Sequence, residues 1–213
     1  MNFIPDASTM LAFSIACIVL FITPGPDMSL FLARTIAGGR RLGIASALGA
    51  NVGCIVHTTL AALGVSALIA ASTTAFLVLK VVGAGYLLWL AFDAIRNGSA
   101  LNVREGLGVD PSAWRTFLTG IAVNLTNPKV ILFFVTFLPQ FVDAHDPHAS
   151  DKLLFLGLFF VMTNIPLTIL MILGAERLVN GLKQRPAVLR AIDYIFASVF
   201  GVFAARILMT QAK

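Results

Sequence analysis

Two short motifs set an ionisable side chain beside proline inside strongly apolar sequence. In Thr23-Pro24-Gly25-Pro26-Asp27 a carboxylate follows two prolines; in Asn127-Pro128-Lys129 an ammonium follows one, with Asn124 and Thr126 a turn or less before it. Proline donates no backbone hydrogen bond and its ring crowds the preceding turn, so each motif should break or sharply bend a helix. The carbonyl and amide groups freed there need protein partners or a water-filled cavity if they lie in hydrocarbon. One carboxylate, one ammonium and freed backbone dipoles would together complement both charges of a zwitterionic amino acid. Pro24, Gly25, Pro26 and Pro128 are therefore hinge candidates, and Asp27, Lys129, Asn127, Asn124 and Asn51 are candidates for substrate binding and proton coupling.

Each charge also has a plainer reading. Asp27 stands toward the inner end of its apolar run and could sit at the membrane interface of a kinked helix. A lysine at the centre of a span costs about 2.5 to 3.5 kcal/mol unless it is paired or snorkels. The run 130–138 beyond Lys129 is only about two turns long, so snorkelling stays open. If the two broken helices meet, Asp27 and Lys129 should form or exchange an ion pair. Cargo would replace the internal partner, and a carboxylate parted from Lys129 could take a proton from the acidic side, which would couple the two fluxes.

The elements that would position these residues are membrane helices. The chain has 213 residues, 58% of them hydrophobic and 12% charged, with mean hydropathy +0.92. That leaves too little polar surface to coat a water-soluble globule, so lipid must be the solvent. A span takes about 20 apolar residues, and the apolar runs 9–33, 43–71, 76–95, 113–138, 153–175 and 191–209 fit six of them. No length remains for a soluble catalytic domain, and HExxH, GxSxG and glycine-rich phosphate loops are absent from the sequence. The expectation is a non-enzyme with no cofactor. The amino-terminal eight residues hold no Lys or Arg, so the first run should be retained and not cleaved as a signal.

The net charge of +5 is not a nucleic-acid footprint, because the basic residues lie between apolar runs and form no aromatic-interleaved stripe. Arg34, Arg40 and Arg41 fill the first loop, Arg96, Arg104 and Arg115 the third, and Arg177, Lys183, Arg185 and Arg190 the fifth. The positive-inside rule puts those loops in the cytoplasm and both termini outside, against the mild objection of Arg206 and Lys213. The longest polar interval separates residues 1–96 from 113–213, with 97–112 as a cytoplasmic linker. Each half holds three spans, and three is odd, so the second half runs upside down. The predicted fold is an all-α single membrane domain of six helices in two inverted repeats, the first helix of each repeat broken at its proline motif.

Other polar positions are weaker. Asn164 in span five, and His57, Thr58 and Thr59 in span two, could line the same cavity or simply hydrogen-bond helix to helix. Lys80 should snorkel from the outer end of span three. Gly49, Gly53 and Gly64 suit close helix contacts, and such small-residue faces would also permit a homodimer. Cys17 and Cys54 fall in apolar runs as small hydrophobes. Asp143, His145, Asp146 and His148 have metal-ligand chemistry but no fixed spacing, and a solvated acidic loop on the outer face explains them better, so no metal is expected.

Nearly the whole chain resembles the LysE/RhtB family of amino-acid exporters. The likeness rests on TPGPD (23–27), GGRRLGIASALGANVGCIVHTTLAALGVSAL (38–68), LKVVGAGYLLWL (79–90) and FLTGIAVNLTNPKVILFFVTFLPQF (117–141), in that order. Pro-Gly-Pro followed about 100 residues later by Asn-Pro-Lys within six short spans is the specific combination. The resemblance implies a bacterial inner-membrane carrier that exports amino acids or close derivatives on the proton-motive force, with Pro24, Gly25, Pro26, Asp27, Asn127, Pro128 and Lys129 in its functional core. Val130 stands where a small Ala is common in the family, and Leu90-Ala91 where Leu-Gly is common. Two other readings remain: export of a divalent cation, and a structural or regulatory membrane subunit whose polar motifs only lock packing.

Overall fold

The computed structural model describes residues 4–97, 112–143 and 146–211. Among them there is no strand. Helices run over Ala7–Ile22 (α1), Pro26–Ala71 (α2), Thr73–Asn97 (α3), Ala113–Thr126 (α4), Pro128–Leu132 (α5), Ala149–Leu173 (α6), Ala175–Gln184 (α7) and Pro186–Gln211 (α8). A π-helical turn, Phe133–Phe137, and a 3-10 turn, Leu138–Phe141, extend α5. Of the linker, residues 98–111 lie outside the described residues, as do Ala144 and His145 of the acidic loop.

Four helices, in α2, α3, α6 and α8, are long and apolar enough to cross a membrane; the bent pair Ala113–Thr126 and Pro128–Phe141 makes a fifth. With 16 residues, α1 is shorter than a full span. Large apolar side chains stand exposed on helix after helix, among them Leu11, Leu60, Phe92, Met162 and Val202. In water this would be a liability, and in a bilayer it is the required outer surface. The molecule is a multi-pass membrane protein.

The run Pro26–Ala71 is two helical stretches joined at a glycine pair. Gly38 (φ −134°, ψ 17°) and Gly39 (φ 75°, ψ 175°) leave helical geometry, and a Cβ placed on Gly43 would lie 2.0 Å from Thr35 Oγ1. Eight residues along an unbroken helix would separate those positions by about 12 Å. The chain therefore turns back on itself, with residues 26–37 antiparallel to residues 40–71, and Phe31 shares an apolar cluster with Ala47 and Ala50. Only glycine adopts the positive φ of residue 39 without strain.

Close approach of α2 to α4 fixes the centre of the molecule. A Cβ on Gly49 would sit 2.0 Å from the Phe117 carbonyl oxygen, and one on Gly120 2.2 Å from that of Ser46. Small residues at these crossings let two backbones touch, as membrane helices need in the absence of a hydrophobic drive between them. Gly49 and Gly53 thus serve packing within one chain. Gly64, expected to do the same, has no heavy atom within 4 Å of its would-be Cβ.

A second apolar cluster is rich in phenylalanine. Phe13 of α1, Phe133 and Phe137 of the π turn, Phe160 of α6 and Phe200 of α8 are buried, with ring centroids such as Phe133–Phe160 at 4.9 Å and Phe137–Phe200 at 5.0 Å. It binds α1, α6 and α8 around the extension of α5.

Arg177, Lys183, Arg185 and Arg190 suggest a loop, whereas Ala175–Gln184 (α7) is a short amphipathic helix. Ala175, Val179 and Leu182 are buried while Glu176, Arg177 and Asn180 are exposed, a spacing that turns one apolar stripe inward. Arg190 Nη1 donates to the Ile95 carbonyl at 2.7 Å, tying the start of α8 to the end of α3.

At the other end of the chain, Asp6 caps α1 by accepting from the Ser8 and Thr9 amides at 2.9 and 3.0 Å. The Ser8 hydroxyl above all, then the Thr9 hydroxyl, holds the carboxyl well below the usual carboxylate range. Because the folded-state pKa is depressed, the cap stabilises at pH above the ordinary aspartate value of about 3.9 and is lost only as pH falls through the lower folded value. Hydrogen exchange should accordingly show Asp6→Ala fraying the first turn of α1 at pH 7, while the native cap persists at pH 5; equal protection in both proteins would dismiss the cap.

Candidate functional site

Both proline motifs become helix breaks of the same local design. α1 ends at Ile22 and α2 starts with Pro26 in its first turn and Asp27 next to it; α4 ends at Thr126 and α5 starts with Pro128 followed by Lys129. Pro26 and Pro128 occupy the position where a missing N–H costs nothing. The second break bends the chain by 54°. Asn127 caps α5, its Oδ1 accepting from the Lys129 amide at 3.1 Å.

The breaks meet at one cavity of 50 Å³, room for about four waters. Asp27, Asn51, Asn124, Asn127 and Lys129 all line it, with Thr23, Gly25, Asn164 and Thr168. Its apolar wall includes Phe21, Phe31, Phe160 and Met171. All five residues singled out for substrate and proton coupling are thus together, and so is Gly25 among the hinges, above which Lys129 Nζ would stand 3.5 Å from an added Cβ.

The two charges share the cavity but do not pair with each other: among the described residues no ion pair within 4.0 Å joins them. Asp27 Oδ2 accepts from Asn124 Nδ2 at 2.8 Å. Lys129 Nζ donates to the Thr23 carbonyl oxygen at 2.6 Å. The direct pair expected from sequence is replaced by two helix ends. Asp27 lies in the first turn of α2, where the helix dipole favours an anion, and Lys129 caps the carbonyl end of α1, which favours a cation. Two opposite charges facing a small cavity are thereby each held without consuming the other.

Asn124 is the keystone of the carboxylate side. It is 1% exposed, its amide also lies 3.5 Å from Cys54 Sγ, and its backbone carbonyl lies 3.4 Å from His57 Nε2. A Cβ on Gly53 would come within 2.4 Å of Asn124 Oδ1, so the bare backbone of Gly53 makes room for this side chain. Gly53→Ala should push Asn124 off Asp27 and lower any transport several-fold while the protein still inserts; wild-type rates in cells or vesicles would dismiss this role.

Several oxygens on the cavity wall lack partners. Asp27 Oδ1, Asn51 Oδ1, Asn164 Oδ1 and Thr168 Oγ1 are buried and unbonded. Asn51 directs its amide nitrogen to the Ala47 carbonyl at 2.9 Å, which leaves its oxygen for the cavity. Thr168 and the Thr23 carbonyl were not singled out from sequence. For Thr168 the available signal was its position one turn after Asn164, on the same face of a proline-containing helix.

The remaining polar positions lie elsewhere. His57 stacks on Phe134 at 5.6 Å, and the Thr58 and Thr59 hydroxyls donate to carbonyls four residues earlier, so none lines the cavity. Cys17 and Cys54 are buried free thiols. Side-chain placement of Lys80 lies outside the described residues. In the acidic loop Lys152 bonds Asp146, whose carboxyl that bond holds below the ordinary range, and His148 Nδ1 is 3.4 Å from Asp151. Among the described residues no group of His, Cys, Asp and Glu could hold a metal ion.

A second, polar cavity of 540 Å³ opens beside the glycine turn, lined by Thr35, Gly39, Arg40, Gly174, Glu176 and Arg177. One apolar cluster borders both cavities, Phe31, Ala50 and Met171 on the central one and Ile172 and Ala175 on the other.

Residues 18–211 match the family profile described as LysE type translocator. The chain belongs to that family. Among its relatives, this translocator is 30% identical over 194 residues to a homoserine/homoserine lactone efflux protein of Salmonella typhimurium, an alignment that spans 91% of this chain and 93% of that protein. A protein of the same description from Salmonella typhi is 31% identical over 91% of this chain and 93% of its own length. An uncharacterized membrane protein of Vibrio cholerae is 27% identical, spanning 92% of this chain and 94% of that protein. No solved structure matches this translocator.

Proposed function

We propose that the chain exports small amino acids from the cytoplasm across the bacterial inner membrane, in exchange for protons. The observation that carries this reading is the cavity in which Asp27 and Lys129 stand near one another yet unpaired, each held by a helix end. A zwitterion can lay its ammonium on Asp27 and its carboxylate on Lys129 without first breaking an internal ion pair. The efflux function given to the Salmonella relatives supports the direction and the substrate class.

In the cycle we envisage, two three-helix halves of opposite orientation rock about the breaks at Pro24–Pro26 and Pro128. Arg40 and Arg177 line one cavity, and Arg190 reaches Ile95, which supports a single arginine-rich end on the cytoplasmic side with both termini opposite. Asp27 Oδ1, buried and unbonded, is the atom that would carry a proton inward once cargo has left. A divalent cation fits less well, because Asp27, the one carboxylate among the described residues lining the cavity, shares it with the Lys129 ammonium.

The direct test is efflux of radiolabelled amino acids, homoserine among them, from loaded proteoliposomes containing the purified protein, with and without an imposed pH gradient. Gradient-stimulated release is the expected result. Release of no amino acid above protein-free vesicles would end the export reading, and release insensitive to the gradient would end proton exchange.

A further inference from the structure

The larger cavity, 540 Å³ beside the glycine turn, differs in chemistry from the central one. Its charged lining is two guanidiniums, Arg40 and Arg177, and one carboxylate, Glu176, so a positive charge is left over. Among the described residues no ion pair within 4.0 Å engages any of the three. Both sides of the cavity change from apolar to cationic at this level. On α6, Leu154, Leu158, Met162, Ile169 and Leu173 are exposed at spacings of four or seven residues, one stripe facing lipid, and Leu173 at its end lines the cavity. Glu176 and Arg177 follow within a turn. On α2, Ile36 and Ile44 are exposed on either side of the Gly38–Gly39 turn, with Arg40 directly after the glycines. A soluble anion would use the arginines and leave the stripe idle, and a zwitterionic cargo would leave one positive charge unmatched. A molecule with an anionic head and an apolar tail uses both.

We propose that this cavity binds the headgroup of an anionic phospholipid, with the phosphate on Arg40 and Arg177 and an acyl chain along the exposed stripe of α6. A guanidinium offers paired N–H donors that match phosphate oxygens, and basic pockets beside membrane helices recognise anionic headgroups in this way. Glu176 lines the same cavity and opposes the headgroup, which limits the affinity. Arg40 follows the glycine turn of α2 and Arg177 follows the corner between α6 and α7, so one phosphate held by both ties those two corners together. A phosphate group fills only part of 540 Å³, and the cavity is not closed by it.

The test is native mass spectrometry of the full-length protein in detergent, titrated with dioleoylphosphatidylglycerol, with dioleoylphosphatidylcholine and inorganic phosphate as comparison probes. Phosphatidylglycerol should bind roughly tenfold or more tighter than phosphatidylcholine and resist displacement by inorganic phosphate. Arg40→Gln combined with Arg177→Gln should bring that preference to about twofold or less. Glu176→Gln should tighten phosphatidylglycerol binding several-fold, and Arg115→Gln, at an exposed arginine outside the cavity, should leave it unchanged. Equal binding of the two lipids would overturn the proposal, as would a preference that falls equally in Arg115→Gln. A preference that survives the double substitution would overturn it too; if the KM for an exported amino acid rises there, the cavity is a cargo vestibule instead. Displacement of the lipid by inorganic phosphate would make it a soluble-anion site and equally end the lipid assignment. Should the double variant fail to fold, Glu176→Gln decides alone, and binding that is unchanged or weaker in that variant refutes the site.

Discussion

Asp27→Asn should abolish coupled export while leaving the protein in the membrane at normal abundance. Asparagine keeps the shape, and its carbonyl oxygen can still accept from Asn124 Nδ2, which now lies 2.8 Å from the carboxylate. What disappears is the charge opposite a substrate ammonium and the group that takes a proton. Losing one member of a buried, hydrogen-bonded charge pair costs about 2 to 5 kcal/mol, or roughly 30-fold to several thousand-fold in rate over concentration. The measurement is efflux normalised to immunoblotted membrane protein. If abundance falls in step with efflux, the residue serves packing and the chain is better read as a structural subunit.

Lys129→Met should be as damaging, for a partly different reason. Methionine matches the length and apolar stem of lysine but leaves the Thr23 carbonyl, now bonded to Nζ at 2.6 Å, without a donor at the end of α1. The variant therefore combines loss of the carboxylate-binding charge with a weakened helix break, and both efflux and thermal stability in detergent should fall. The exchange Asp27→Lys with Lys129→Asp tests the arrangement more sharply. Were the two residues simply partners, swapping them would restore function. Here each charge is matched to its own helix end, so the double exchange should be as inactive as either single change; recovery of efflux would refute that account.

These two residues also show what the sequence could and could not convey. Proline beside a charge in an apolar run was enough to locate Asp27 and Lys129, their helix breaks and their common cavity, because backbone rules about proline hold wherever it stands. Asn51, Asn124 and Asn127 could be found for the same reason: an amide in hydrocarbon needs a partner. The partner itself was not legible. Opposite signs suggested a mutual ion pair, but the choice between each other and a helix end depends on distances of a few ångströms set by packing. Thr168 was overlooked because threonine in a membrane helix ordinarily bonds its own backbone, and only the structure shows that this one does not. The amphipathic α7 was masked by its basic residues, which read as loop, while its three buried apolar positions are too few to announce a helix. The reversal in α2 followed the glycine pair, yet the depth to which residues 26–37 fold against 40–71 came from side chains such as Phe31 and Ala47.

In the proposed export cycle, that reversal limits how cargo could reach the cavity. Gly38 and Gly39 clip the strand of helix carrying Asp27 to the one carrying Asn51, so those two walls are fastened at their base like the legs of a staple. A passage cannot open between them there without unpicking the fastening. Phe31 on one leg and Met171 on α6 belong to the one apolar cluster that borders both the cavity and the polar chamber of Thr35, Arg40 and Arg177. In the proposed export cycle, cargo moving between the two chambers would have to part that cluster.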